Sequence, residues 1–296
     1  MRIVDQLETV GDWLRYAATR FEAADLHYGH GTDNAWDEAV ALVRGELKLP
    51  DDKLGLVLAA RLTRGERNAL ARKIEQRIAK RVPVPYLVGE AYFAGRRYRV
   101  TKDVLIPRSP IAELIENEFA PWLAHAPATI LDLGAGSGCI GIACAHQFPA
   151  ARVVLSDVDP RALDVARANV ALHRVEDRVD VVASDVFAGL PRRRFDLIVT
   201  NPPYVAAAEW RRLPREHRHE PARALAAGAK GLDVVLRIVD EAKRHLTKSG
   251  ALIGEVGASA ANLAKARPKV PFEWPSFERG GDGVFVIGAA SLPGRN

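Results

Sequence analysis

Leu131-Asp132-Leu133-Gly134-Ala135-Gly136-Ser137-Gly138 runs from an apolar stretch through an acid into three alternating glycines. This is the pattern of a strand that turns tightly into a helix. Glycines let the backbone turn and approach a ligand, and the first turn of the following helix presents free N–H groups. Around this core, apolar runs alternate with helical patterns. Strands are expected at 129–132, 152–156, 178–182, 195–200, 251–255 and 283–287, with helices near 110–123, from about 138, from Asp159-Pro160, and over 231–246. Strands alternating with helices imply an α/β fold with a mostly parallel, doubly wound, Rossmann-like sheet. Ligands of such sheets sit at the carboxyl ends of the strands.

Two ligand classes fit the glycine turn. Gly136-Ser137-Gly138-Cys139-Ile140-Gly141 matches the G-x-G-x-x-G dinucleotide pattern, whereas Gly134, Gly136 and Gly138 match the G-x-G-x-G usual in methyltransferases, after the acid Asp132. Asp157 ends the second strand, where a carboxylate can accept both ribose hydroxyls of an adenosine in either ligand. Asp185 follows the third strand and can accept from an adenine amino group, with Phe187 against the ring face.

Asn201-Pro202-Pro203-Tyr204 directly follows the fourth strand and so projects into the same crevice. Hydride transfer has no use for it, but methylation of a planar nitrogen does. An amide nitrogen is a poor nucleophile because its lone pair is delocalised. Two acceptors, the Asn201 side-chain oxygen and the Pro202 backbone oxygen, can hold its N–H groups and turn the lone pair towards a methyl donor. The prolines stiffen the loop and bring no competing N–H. Tyr204 can pack on the flat face of the substrate group. An adenine amino group satisfies the same geometry as an amide.

Residues 1–83 read as a helical domain. Ile3, Leu7, Val10, Leu14, Ala17 and Phe21 line one helical face, Asn34 offers an N-cap, and Thr63-x-x-Glu66 is a capping box. Residues 84–109 read as a hairpin connector with its turn near Gly95, and 110–296 as the catalytic domain. The 296 residues carry a net charge of +5 and a pI near 9.3, which favours acidic partners such as RNA or a ribonucleoprotein. Basic residues concentrate at 61–81, read as a solvated helix face, and at 192–218, which brackets the loop at 201–204. His217 and His219 lie where they can help cover a substrate. The acidic N-terminal stretch predicts no secretory signal, and no apolar run is long enough for a membrane span. Cys139 and Cys144 suit small buried positions in a reducing, cytoplasmic setting, and no His/Asp/Glu spacing suggests a metal site.

In these motifs the chain resembles the HemK-type glutamine N5-methyltransferases along nearly its whole length. The likeness includes Val84-Pro85-Tyr86-Leu87, Leu105-Ile106-Pro107-Arg108, the glycine turn, Asn201–Tyr204 and Gly280-Gly281-Asp282-Gly283. Tyr28-Gly29-His30-Gly31-Thr32-Asp33-Asn34-Ala35-Trp36 and Pro107-Arg108-Ser109-Pro110 resemble the branch (the PrmB type) that modifies the third protein of the large ribosomal subunit. The resemblance implies a class I fold and S-adenosylmethionine as methyl donor, giving S-adenosylhomocysteine, with no metal. Asp132, Gly134, Gly136, Gly138, Asp157, Asp185, Phe187 and Asn201 would then flank the donor, and Asn201, Pro202 and Tyr204 would hold the glutamine amide. The implied partner is a ribosomal protein with RNA nearby. Release factors, or adenine N6 in nucleic acid, are the alternative acceptors. Lys230-Gly231-Leu232 departs from the family's usual Asp-Gly-Leu, and no role attaches to Lys230.

Overall fold

The computed structural model describes residues 3–50, 52–190 and 192–293. The chain forms two compact units. One is Met1–Ala91 with Val100–Lys102 and Pro214–His219; the other is Tyr92–Arg99, Asp103–Leu213 and Glu220–Asn296.

The helical unit contains α1 (Val10–Glu22), α2 (Ala35–Leu47), α3 (Arg64–Lys80) and α4 (Val84–Val88). Trp13, Phe21, Leu42, Leu70 and Ile74 are its buried centre. The long first helix expected from Ile3 is interrupted: Thr9 and Asp12 form a reciprocal capping box, so α1 starts at Val10 and residues 3–5 make a separate short turn. The box at Thr63 and Glu66 opens α3 as the sequence predicts. Asn34 caps α2 by accepting from the Asp37 N–H at 2.9 Å.

The basic 61–81 stretch is not uniformly a solvated face. Arg77 is about 1% exposed. It donates to Glu38 at 2.8 Å, to Glu216 at 3.1 Å and to the His27 carbonyl at 2.9 Å. Glu216 also accepts from the His27 N–H. Helical periodicity placed Arg77 among solvated arginines, but two carboxylates far away in sequence make its burial tolerable. His217 packs against the rings of His27 and His30, and His219 bonds the Lys80 carbonyl at 2.8 Å. The two histidines expected to cover a substrate therefore belong to the helical unit.

The segment read as a connector is divided between the units. β1 (Glu90–Phe93) and β2 (Arg96–Arg99) form a hairpin whose two-residue turn, Ala94-Gly95, has positive φ at both positions, as the right-handed strand twist requires. Residues 92–99 group with the sheet unit because Phe93 and Tyr98 are buried in its core.

The sheet unit continues with α5 (Ile111–Glu116), β3 (Thr129–Leu133), α6 (Cys139–Gln147), β4 (Arg152–Asp157), α7 (Pro160–His173), β5 (Val179–Ala183) and β6 (Phe195–Thr200). Then follow α8 (Ala207–Trp210), α9 (Ala222–Leu225), α10 (Asp233–Glu241), β7 (Leu246–Glu255), α11 (Ala260–Ala266) and β8 (Val284–Gly288). Among the described residues the main sheet has the order β5-β4-β3-β6-β7-β8. All its pairings are parallel except β7 with β8. The helix expected near 110–123 stops at Glu116, because Glu118 and Phe119 take left-handed φ and Phe119 turns in to stack on Phe148. The helix expected over 231–246 is shorter at both ends, and β7 begins at Leu246, paired with Phe195 across an irregularity. α4, α8, α9 and α11 had no counterpart in the sequence pattern; all four are seven residues or shorter.

Candidate active site

Strand register assembles the site. Leu133 on β3 pairs with Ser156 on β4 and with Thr200 on β6. The next residues, Gly134, Asp157 and Asn201, therefore leave the sheet side by side. The chain runs outward from β3 to β4 and β5, then crosses back to β6, so this is the switch point where open sheets leave a crevice. The Thr200 hydroxyl donates to the Leu133 carbonyl at 2.8 Å, and the Ala135 N–H donates to the Ser156 carbonyl at 2.9 Å. These bonds lock the roots of all three loops.

Gly134, Gly136, Asp157, Asp185, Asn201 and Pro202 line one pocket here. The glycines of the turn divide by what a side chain would meet. At Gly134 (φ +69°) and Gly136 (φ +55°) a Cβ would meet no atom within 4 Å. At Gly138 (φ +78°) it would lie 2.8 Å from Leu155, and at Gly141 2.2 Å from the same side chain. The first pair keeps the pocket open; the second lets α6 press onto β4. The two motif readings of the sequence thus share one glycine that serves the fold, Gly138, and Gly141, which only the dinucleotide pattern includes, serves it too.

Asp157 stitches the turn together. One oxygen accepts from the Gly136 N–H at 2.9 Å and the other from the Asp159 N–H at 2.9 Å. Each carboxylate oxygen keeps a further lone pair for a ligand hydroxyl. Asp132 behaves differently: it is buried and absent from the pocket lining, and it accepts from the Gly141 N–H at 2.8 Å. Burial pushes its carboxyl up to about 7. Gly138 is also outside the pocket lining.

The Asn201–Tyr204 loop splits the same way. Asn201 and Pro202 face the pocket, and the Asn201 Oδ1 is shielded from solvent without a hydrogen-bond partner. An orphan buried acceptor is costly and marks a place where a donor belongs. Tyr204 is absent from the pocket lining and turns towards β7, where its hydroxyl donates to Glu255 at 2.7 Å. Burial and the Glu255 charge raise its pKa.

On the far wall Asp185 is held by Arg237 through two bonds of 3.0 Å, and these lower its pKa. Phe187 does not reach the pocket lining. It is buried and stacks on His245 with ring centres 4.2 Å apart and planes 6° apart, and its neighbour Val186 lines the pocket instead. Two side chains to which the sequence assigns no role also line the pocket. Arg223 pairs with Asp159, the N-cap of α7, and Arg108 forks onto Glu220 at 2.5 and 2.8 Å. Their signal in the sequence was faint, since each partner is more than sixty residues away. Among the described residues no helix is long and apolar enough to cross a membrane, and Cys139 and Cys144 are free and buried.

Residues 117–217 match the model of the Methyltransferase small domain family. A ribosomal protein uL3 glutamine methyltransferase of Francisella tularensis subsp. tularensis is 42% identical over 287 residues, covering 96% of this chain and 91% of the relative. One from Xylella fastidiosa is 46% identical over 289 residues, covering 97% and 92%. The chain belongs to the uL3 glutamine methyltransferase family. Among solved structures, the catalytic domain of hMettl16 superposes with a TM-score of 0.50 at 15% identity, over 84% of this chain and 90% of that one, a likeness of fold. This chain is therefore a methyltransferase of the class I fold, as its sequence predicts. The family implies S-adenosylmethionine as donor, and the pocket suits it: two glycines leave space for it and the Asp157 carboxylate stands at the end of β4.

Proposed function

We propose that this enzyme methylates the side-chain amide nitrogen (N5) of a glutamine in ribosomal protein uL3. The relatives that match nearly the whole chain carry that activity in their names. The single structural observation that supports it is the buried, unpartnered Asn201 Oδ1 at the mouth of the strand-end crevice. Gly134 and Gly136 would lie along the methionine and ribose part of S-adenosylmethionine, with Asp157 accepting from the ribose hydroxyls and Asp185 near the adenine. When bound, the donor supplies an electrophilic methyl carbon on a positively charged sulfur.

The protein's own contribution is orientation. The Asn201 Oδ1 and the Pro202 carbonyl oxygen would accept from the two N–H groups of the glutamine amide. Held so, the amide cannot rotate, and the nitrogen lone pair faces the donor side of the crevice. As the nitrogen attacks, positive charge grows on it and its N–H groups become stronger donors; once the methyl group is in place, one of these N–H groups gives up its proton to water, leaving the neutral N-methyl amide. Acceptors fixed in advance gain strength at that moment without reorganising. Placing the nitrogen in line for attack removes most of the entropic cost of the encounter. Pro202 and Pro203 lock φ and so keep both acceptors in place before substrate arrives.

The test is incubation of the enzyme with isotopically labelled S-adenosylmethionine and isolated uL3, release factor or nucleic acid, followed by peptide mapping. Label on a uL3 glutamine is the expected result. Label on a release-factor glutamine alone, or label that disappears on nuclease treatment, would reassign the acceptor. Absence of any labelled glutamine would overturn the reading.

A further inference from the structure

Glu255 ends β7 beside the site but is absent from the pocket lining, and it is buried. Two hydroxyls donate to it: Ser109 at 2.6 Å and Tyr204 at 2.7 Å, one to each carboxylate oxygen. A carboxylate in this position is expensive to bury, and methylation as described above makes no use of it.

The surroundings show what it holds. Tyr204 is gripped on several sides. The Ser259 hydroxyl donates to its carbonyl at 2.9 Å. A Cβ at Gly231 would lie 2.1 Å from that same carbonyl oxygen, so only glycine admits the contact. The ring lies on Gly257, where a Cβ would be 2.9 Å from it. Gly257 is backed by Gly283, whose Cβ would fall 2.2 Å from the Gly257 carbonyl oxygen, and the Val256 N–H donates to the Gly283 carbonyl at 2.7 Å. The glycine-rich Gly280–Gly283 stretch thus ends in a support for the tyrosine. Asn201 lies three residues before Tyr204, and its Oδ1 has no hydrogen bond to fix it. Its orientation must come from the chain on either side: Thr200, bonded to Leu133, and Tyr204, reached through two prolines of fixed φ.

We propose that Glu255, steadied by Ser109, is a positioning residue for methyl transfer: it clamps the Tyr204 hydroxyl and thereby sets the Asn201 and Pro202 acceptors. Tyr204 is then an anchor of the loop and its ring is not a platform for the substrate. This rests on the reading of Asn201 and Pro202 as the amide acceptors.

Three variants and two readouts test it. Tyr204→Phe keeps the ring and removes only the hydroxyl; Glu255→Ala removes the clamp; Glu255→Gln can still accept from Tyr204 while its amide donates to Ser109. Tyr204→Phe and Glu255→Ala are each expected to lower kcat on uL3 by about 10-fold or more, with KM and S-adenosylhomocysteine affinity within about twofold of wild type. The double variant should be no slower than the slower single, because both remove one interaction. Glu255→Gln should restore kcat to within about threefold of wild type. The second readout needs no acceptor: in asparagine-15N-labelled enzyme, Tyr204→Phe should shift or broaden the Asn201 side-chain amide resonance. Unchanged kcat, additive losses, or a Glu255→Gln loss as large as that of Glu255→Ala would overturn the proposal. Wild-type enzyme that methylates no uL3 glutamine would instead count against the substrate reading, and the Asn201 resonance then decides alone: its indifference to Tyr204→Phe would overturn the clamp.

Discussion

Gly136 and Gly138 stand two residues apart, both with left-handed φ, yet they face opposite surroundings. A Cβ on the first would project into open space along the pocket; on the second it would strike Leu155 beneath α6. Asn201 and Tyr204 repeat the division across two prolines: one offers an unsatisfied acceptor to the pocket, while the other is bonded into the protein behind it. The lesson is that each motif has a side that meets ligand and a side that holds the first side still. A shared pattern of residues does not reveal which is which.

Removing the pocket-facing member should have the largest effect on chemistry. Asn201→Ala is expected to lower methyl transfer to uL3 by about 100-fold or more, as loss of a preorganised polar contact does, while calorimetry shows S-adenosylhomocysteine affinity close to wild type. Equal losses of transfer and of donor affinity would place Asn201 with the donor instead.

The glycine pair sharpens the contrast through stability. Both Gly136→Ala and Gly138→Ala force an L-residue into left-handed backbone, at about 1–2 kcal/mol. Only Gly138→Ala also overpacks, adding about 1–3 kcal/mol. Thermal or denaturant unfolding should therefore show Gly138→Ala as the less stable, whereas donor affinity should fall more for Gly136→Ala. The reverse order would mean that the two positions have been assigned to the wrong sides.

Much of this division could not be read from the chain alone. Alternating strands and helices, the glycine turn, the helix cap at Asp159-Pro160 and the placement of Asn201 after a strand are local, because they depend on residues within a few positions of one another. They survive in the structure. What failed was long-range. Phe187 reads as an aromatic beside an adenine-binding acid until His245 is found stacked on it. Arg77 reads as one cation among many until Glu38 and Glu216 close around it. Tyr204 points away from the pocket because Glu255, Gly257 and Ser259, all some fifty residues later, make a socket for it. The short helices leave no periodic signal because one or two turns hold too few residues for a periodicity to register.

Asp132 gives a pH-dependent version of the same comparison. Its folded-state pKa, raised by burial to about 7, lies above the ordinary 3.8. The folded protein therefore binds a proton that the unfolded chain has released. The stability this contributes is complete below the unfolded value and is lost as pH rises through about 7. Asp132→Asn cannot ionise and should flatten this part of the stability profile. Its unfolding free energy relative to wild type should therefore be more favourable at pH 8 than at pH 5. A difference independent of pH would mean that Asp132 is already ionised in the fold.

The smallest effect is expected at Phe187. Phe187→Leu should cost about 0.5–1.5 kcal/mol of stability from the lost ring stack, with donor affinity essentially unchanged. A clear loss of affinity would return Phe187 to the adenine side.

The most direct test of the site looks at the amide itself. A uL3 substrate labelled with 15N in its glutamine side chains can be titrated with the enzyme–S-adenosylhomocysteine complex and followed by NMR. Both side-chain amide protons of the acceptor glutamine should move downfield on binding to wild type, and one of the two shifts should vanish with Asn201→Ala. Shifts that are identical in the two enzymes would show that the Asn201 Oδ1 holds something other than the glutamine amide.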